Sequence, residues 1–429
     1  MHISLSTRMT CILLLSLLCC RLHAQQADST RLSLHDAEKL LLEKNIPLLV
    51  QRYNIDAAKA DVITAKLYDN PQVSFENVIY NQTNHKWFDL SYEGENTFQL
   101  QQVIKLAGQR NKAVKLAQQN VKMTEYQFYD LMRTLRYELR DNFFKIYYLQ
   151  QSLQLFHTQV NTLEAMLKAF EDQQKKGNIS MKEMLRIKSL LYDLRSDEDE
   201  VLQDLQDAQS DFKLLVRLPA TAQVIPTLGD DMEQQLAKNY TYQYLLDSAR
   251  NNRYDYKTAE ANIEYNELNY KLQKSMAVPD LQIGFNYDKQ GNFTRNYNAL
   301  TLSMPLPVFN RNQGNIKLAK TMLESSKLQK VGNEDQLQQE VMNSYNTAIR
   351  TENLLGTVDP SFGNDFTKLI GEVQRNYQLR NISLLEFVDL YDAYRNSILK
   401  INTLRYNHAS ALEAINFSTG SLIFNPTKN

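Results

Sequence analysis

The chain has 429 residues, with 48 Lys plus Arg against 49 Asp plus Glu and a formal net charge of −1. That balance leaves no basic excess to meet a phosphate backbone, which excludes a nucleic-acid binder. Only 12 Gly and 9 Pro are present, so long uninterrupted helices are expected rather than a turn-rich or disordered chain.

In chain order, Arg8 precedes the apolar run Cys11–Cys20, which is too short to cross a bilayer as a helix. Leu22-His23-Ala24 then offers a small residue at a cleavage point, so residues 1–24 read as a secretory signal peptide. Cys11, Cys19 and Cys20 all fall inside it, leaving no thiol chemistry in the exported part. A lipid anchor on Cys19 or Cys20 is disfavoured, because neither follows a small residue. No later stretch reaches roughly 18 apolar residues, so no membrane helix is expected.

Ser33 is placed to cap a helix whose apolar face is Leu34, Ala37, Leu41 and Leu42. Asn45-Ile46-Pro47 breaks it, and Pro47 can open the next helix, to about Tyr68. A first β-hairpin is expected over about 71–106, with Phe75, Phe98 and Leu100 in alternating runs. Arg110 to Lys176 then holds no Pro or Gly, a helix of roughly 100 Å. After Gly177-Asn178-Ile179-Ser180, the residues Ile187, Leu191, Leu194, Val201, Leu205, Ala208, Phe212 and Leu215 follow the four-three spacing of a coiled-coil seam, broken only at Glu198. The acidic run Arg195–Glu200 reads as a solvated face.

The second half repeats this order. Tyr242 to Met276 takes the place of the first helices, and a second hairpin over about 279–307 carries Leu281, Ile283, Phe285, Leu300 and Leu302 on one face. Pro305 and Pro307 end its pairing. A long helix from Ile316 breaks near Gly356–Pro360, and Arg380-Asn381-Ile382-Ser383 precedes a last helix with a looser seam at Leu390, Tyr394, Ile398, Ile401, Leu404, Ala411 and Ile415. Pro71 matches Pro279, and the two Asn-Ile-Ser triplets match at nearly the same offset. The expected organisation is a signal peptide (1–24), a first repeat (25–225), a linker (226–240), a second repeat (241–424) and a tail (425–429).

One chain thus supplies four strands. Single-chain membrane barrels begin at about eight, and an open sheet edge cannot sit in lipid. Several chains must share one barrel if the hairpins enter a membrane. The soluble alternative is a sheet packed on other protein.

The chain resembles the TolC-like outer-membrane efflux factors. The likeness rests on LSLHDAEKLLLEKN near the start, Asn70-Pro71 before the first strand, FKLLVRLP at Phe212–Pro219, and KKGNISMKEML and YQLRNISLLEFVDL at the two turns. PLPVFNRNQG at Pro305–Gly314 is most similar to the heavy-metal branch of CzcC and CusC type. The resemblance implies a mainly α protein with membrane β: long antiparallel coiled-coil helices forming an α-barrel, and a homotrimer closing a twelve-stranded barrel in the outer membrane of a Gram-negative bacterium. It implies partners as well: a periplasmic membrane-fusion adaptor, an inner-membrane RND transporter and outer-membrane lipid. One departure is Arg380, where the family usually has glycine.

Three sets of candidate residues follow. The strand residues Phe75, Phe98, Leu100, Leu281, Ile283, Phe285, Leu300 and Leu302 are expected mostly to face lipid, from their period of two. The turns, with Gly177, Asn178, Ser180, Arg380, Asn381 and Ser383, are expected at the far tip, where the resemblance implies adaptor docking. Glu386 and Asp389 share a helix face; the resemblance implies that they line a narrow constriction with Tyr377 nearby, where carboxylate rings favour cations.

Enzyme chemistry finds no support in the sequence. His35, His85, His157 and His408 are scattered, with no His-x-x-x-His pair, and no phosphate loop or nucleophile elbow occurs. No catalytic residue, cofactor or resident metal is assigned. The leading expectation is the exit duct of a tripartite RND-type efflux system for heavy-metal cations. The alternatives are a duct for drugs or for type I protein secretion, and a periplasmic coiled-coil scaffold.

Overall fold

The computed structural model describes residues 29–177, 179–229, 235–291, 293–359, 368–369, 371–373, 375–377, 379 and 381–426. The expected signal peptide, Asn178 and Arg380 lie outside them. In chain order the elements are β1 (Ser29–Ser33), α1 (Leu34–Lys44), α2 (Ile46–Lys66), β2 (Gln72–Asn77), β3 (Tyr80–Asn81), β4 (Lys86–Trp87), β5 (Asn96–Ile104), α3 (Gln109–Lys175), α4 (Met181–Val216), β6 (Gln223–Thr227), α5 (Tyr242–Asn252), α6 (Tyr254–Ser275), β7 (Leu281–Asp288), β8 (Tyr297–Ser303), α7 (Gln313–Leu355) and α8 (Leu384–Thr419). The same succession of two helices, two strands of one four-stranded sheet, a long helix and a return helix occurs in each half, with the short pair β3 and β4 added in the first. The helix limits follow local chemistry. Ser33 Oγ accepts from Asp36 N at 3.1 Å to start α1. Asn45 ends it, and Pro47 sits in the first turn of α2, where its missing N–H costs nothing. α3 runs unbroken because nothing in it breaks a helix, and α7 stops just before Gly356.

The chain divides into two units. One comprises Ile46–Met132 and Leu246–Glu340. It holds a four-stranded antiparallel sheet in the order β2-β5-β7-β8. Its helices follow the same order. α2 meets α3 where Arg110 Nη1 donates to Lys66 O at 2.6 Å and Gln51 Nε2 to Thr124 O at 3.5 Å. α3 meets α6 where Gln119 Nε2 donates to Ala261 O at 2.9 Å and Tyr129 stacks on Tyr254 at 4.6 Å. α6 meets α7 through Glu260–Lys330 at 2.8 Å, and Arg253 beside its start reaches Glu340 at 2.5 Å. Layer order α2-α3-α6-α7 therefore mirrors strand order.

The other unit takes in the chain up to Asn45, Arg133–Leu245, and Val341 onward. β1 and β6 form a parallel two-stranded ribbon, Leu32 opposite Pro226. Sequence periodicity does not reveal this ribbon, and β6 straddles the expected repeat boundary at residue 225. The α4 seam is buried at Ile187, Leu191, Leu194, Leu205, Ala208, Phe212 and Leu215, as its spacing predicts. In α8 the buried line opens on Phe387, Tyr391 and Tyr394 rather than on Leu390, because the two aromatic rings nearest the turn fill the interior. The run Arg195–Glu200 is not simply solvated. Arg195 pairs with Glu164, Glu198 with His157 Nδ1 at 2.8 Å, and Asp197 with Arg395 at 3.3 Å.

Candidate functional site

The first part of the site is the sheet. Residues directly opposite in an antiparallel ladder share a face, so the register sorts every side chain. One face carries Val73–Leu100–Phe285–Leu300, then Phe75–Phe98–Tyr287–Asn298, then Gln102–Ile283–Leu302 and Ile104–Leu281, so it is apolar but for Gln102 and Asn298. The other carries Ser74–Gln99–Asn286–Ala299 and Gln101–Gly284–Thr301. All eight sequence-chosen strand residues thus fall on one apolar face. That face is uncovered: Leu300 is 73% and Leu302 66% exposed. The polar face is tight at Gly284, where a Cβ would lie 2.4 Å from Thr301 Oγ1. The outer edges of β2 and β8 pair with no strand among the described residues. Beyond the strands, the two hairpin loops are tied together. Lys289 Nζ donates to Leu90 O and Ser91 O at 3.0 and 2.7 Å. Asp89 is held down at about 2 by hydrogen bonds from Ser91 and Asn84.

The second part is the pair of turns. Gly177 takes a φ of 76°, open to glycine at no steric cost. Ser180 then builds a full capping box with Glu183: Ser180 Oγ accepts from Glu183 N at 3.2 Å, and Glu183 Oε2 accepts from Ser180 N at 2.9 Å. Ser383 Oγ accepts from Glu386 N at 3.2 Å and starts α8. Asn381 N donates to Asn376 O at 2.9 Å. Between the turns' helices, Phe156, Leu163, Phe170, Ile187, Leu194 and Phe387 form one buried cluster.

The third part is the acidic arm of α8. Glu386 and Asp389 are both exposed. Tyr377 is half-buried and belongs to the cluster: its ring lies 5.1 Å from Phe387 and 5.6 Å from Phe170. Sequence reasoning missed Asp392, one turn further on. Burial pushes its carboxyl up, Arg395 opposes this, and Asp193 and Asp389 add to it. The signal was the three-residue repeat Glu386, Asp389, Asp392. Arg395, between Asp197 and Asp392 at 3.3 and 3.7 Å, was invisible without the fold. Among the described residues no group of three or more His, Cys, Asp or Glu is arranged to hold a metal ion. No helix among them is long and apolar enough to cross a membrane.

A sheet with one apolar face, two edges that pair with no strand among the described residues, and long helices running on from its strands is the class of fold that a membrane duct completed by several chains would need. Comparison with known proteins gives the same class. Residues 38–216 match the model of the outer membrane efflux protein family. The fold matches that of a membrane protein from Pseudomonas aeruginosa at 15% identity and a TM-score of 0.75, over 90% of this chain and 92% of that one. It matches CusC at 15% and 0.72, over 90% and 92%, and VceC from Vibrio cholerae at 14% and 0.70, over 90% and 96%. No curated protein matches the sequence. Residues 38–216 thus carry the sequence likeness to the outer membrane efflux protein family, and the fold carries the likeness to CusC and VceC over 90% of the chain.

Proposed function

We propose that the chain is the exit duct of a tripartite efflux system that moves heavy-metal cations across the outer membrane. It works as a homotrimer whose three four-stranded sheets close one barrel. A periplasmic adaptor and an inner-membrane RND transporter feed it. The observation that carries this reading is the sheet itself: an apolar face for lipid, a polar face for the lumen, and two edges that lipid cannot tolerate unpaired.

The turns at Gly177–Ser180 and Arg380–Ser383 are the adaptor-docking tips. Ser180 and Ser383 each cap a new long helix, the first directly after α3 ends, which gives the adaptor a rigid target. Glu386 and Asp389 line the constriction, and three copies of each make carboxylate rings that favour cations. Tyr377 supports the ring from the cluster behind it. The similarity of Pro305–Gly314 to the metal-exporting branch supports metal cargo, and a duct needs no tight site for it, since tight binding slows release.

The test is deletion of the gene in its host, with growth and cell-associated metal measured under zinc, cobalt, cadmium, copper and silver. Raised metal content and sensitivity are expected, restored by the gene in trans. Unchanged metal tolerance with lost drug tolerance would overturn the cargo and keep the duct.

A further inference from the structure

Where α3, α4 and α8 come together, their packing leaves a cavity of about 210 Å³. Bonds between the helices fix its walls. Asn402 Nδ2 of α8 donates to Ser152 Oγ of α3 at 3.2 Å. Tyr406 OH donates to Asp141 Oδ2 at 3.1 Å, and Ser410 Oγ to Asp141 Oδ1 at 2.5 Å. Gln150 of α3 and Gln209 of α4 both donate to Val224 O, at 2.8 and 3.4 Å. These bonds occupy the polar groups of Asn402, Ser152 and Tyr406 and hold the three helices around the space. Tyr148 and Ser152, both buried, close its inner side.

Two charged groups in the lining are unused. Lys145 on α3 and Asp204 on α4 face one cavity, yet neither makes a hydrogen bond or an ion pair among the described residues. An ion pair forms at an N···O distance of about 4 Å or less, so a wider gap separates the two. Lys145 is half-buried and Asp204 exposed. A half-buried ammonium without a partner carries a desolvation cost that no contact offsets. Asn407 on α8 adds an amide that is likewise unpaired among the described residues.

This set selects its ligand by charge. A simple anion would satisfy Lys145 but meet repulsion from Asp204, and a simple cation the reverse. A molecule that carries both charges a few bonds apart satisfies both. The Asn407 amide can donate to its carboxylate or accept from its ammonium. Leu149 and Tyr148 supply an apolar wall for an aliphatic side chain. The volume lies below the roughly 300–1,000 Å³ of drug-sized sites, which limits the ligand to a small one. We propose that this cavity binds a small zwitterion of the α-amino acid class, its carboxylate on Lys145 and its ammonium on Asp204. The site is independent of the efflux cargo. A ligand held there joins α3 to α4 and so stabilises the folded helical arm.

The test titrates L-leucine into the purified full chain in detergent and records the heat. Saturable binding is expected, with a dissociation constant of about 1 mM or below. Lys145→Ala and Asp204→Ala should each weaken it at least tenfold, while Asp199→Ala, elsewhere on α4, should leave it unchanged. 4-Methylpentanoate and 3-methylbutylamine, which keep the side chain but carry one charge each, should bind at least tenfold more weakly than L-leucine. Asp204 is exposed, so its replacement leaves the fold intact. L-Leucine should therefore raise the thermal midpoint of the parent chain and not that of Asp204→Ala. No saturable heat with L-leucine, equal binding by the parent chain and Asp204→Ala, or a one-charge analogue that binds as tightly as L-leucine overturns the proposal.

Discussion

Arg140 Nη1 donates to both carboxylate oxygens of Glu413, at 2.9 and 3.1 Å, where both side chains are 1% exposed. The guanidinium is completed by Glu38 Oε1 at 2.5 Å and by Asn425 O at 2.8 Å. This one side chain ties α3 to α1, to α8 and to the C-terminal segment. Removing one partner of such a pair strands a buried charge, at about 3–5 kcal/mol. Arg140→Met is therefore expected to lower the thermal midpoint steeply in detergent. Adding Glu38→Leu and Glu413→Leu should restore part of it, because the two buried carboxylates leave with the guanidinium, while Arg136 loses Glu38 at 3.7 Å and the amides of Asn416 and Asn425 lose Glu413 as acceptor. A triple variant no better than the single one would show that geometry, not charge burial, sets the cost.

A second prediction concerns pH. His408 is buried, its Nε2 has no hydrogen-bond partner among the described residues, and burial pushes its pKa below the ordinary 6.5 against the pull of Glu352. The unfolded chain thus takes up the proton near pH 6.5, while the folded chain does so only at lower pH. Stability is full above pH 6.5 and falls with acidification through the folded pKa. Thermal midpoints between pH 7.5 and 5.5 should drop less in His408→Gln than in the parent chain. Parallel curves would remove His408 from the account.

The sheet gives a prediction that depends on face. Leu302→Arg and Phe285→Arg place a charge on the apolar face and should each cost about 2–4 kcal/mol near the bilayer midplane. Asn286→Arg, on the polar face, should insert normally. Recovery of protein from outer-membrane fractions measures this. Equal recovery of all three would mean that the apolar face does not meet lipid.

The turns can be tested with thiols, since residues 29–426 contain no cysteine. Lys176→Cys and Leu379→Cys should crosslink to the cognate adaptor, and a cysteine at Phe293 in the β7–β8 loop should not. The reverse pattern would invert the orientation of the chain. Ser180→Ala removes the capping-box acceptor and should cost about 1 kcal/mol of local stability, read as faster amide exchange in the first turn of α4.

Much of this fold was readable from local chemistry. α3 shows itself by the absence of breakers, Ser33, Ser180 and Ser383 by their positions before apolar runs, and β7 and β8 by strict alternation. The ribbon of β1 and β6 was not readable, because parallel pairing of two short strands far apart in sequence leaves no periodic mark, and Pro226 argues locally against a strand. Arg140 was hidden for the same reason: Glu38, Arg140 and Glu413 meet only through the tertiary fold. At the acidic arm, Glu386 and Asp389 could be named from spacing, but Asp392 with Arg395 needed the neighbouring helix α4.

The central claim is that assembled chains form a cation-preferring duct, and planar-bilayer recording of the purified oligomer tests it most directly. Discrete conductance steps with a reversal potential favouring cations are expected, and Glu386→Ala with Asp389→Ala should abolish the preference while leaving trimers intact. Purified oligomers that pass no current under any applied potential, or that conduct without ion preference in both proteins, would contradict it.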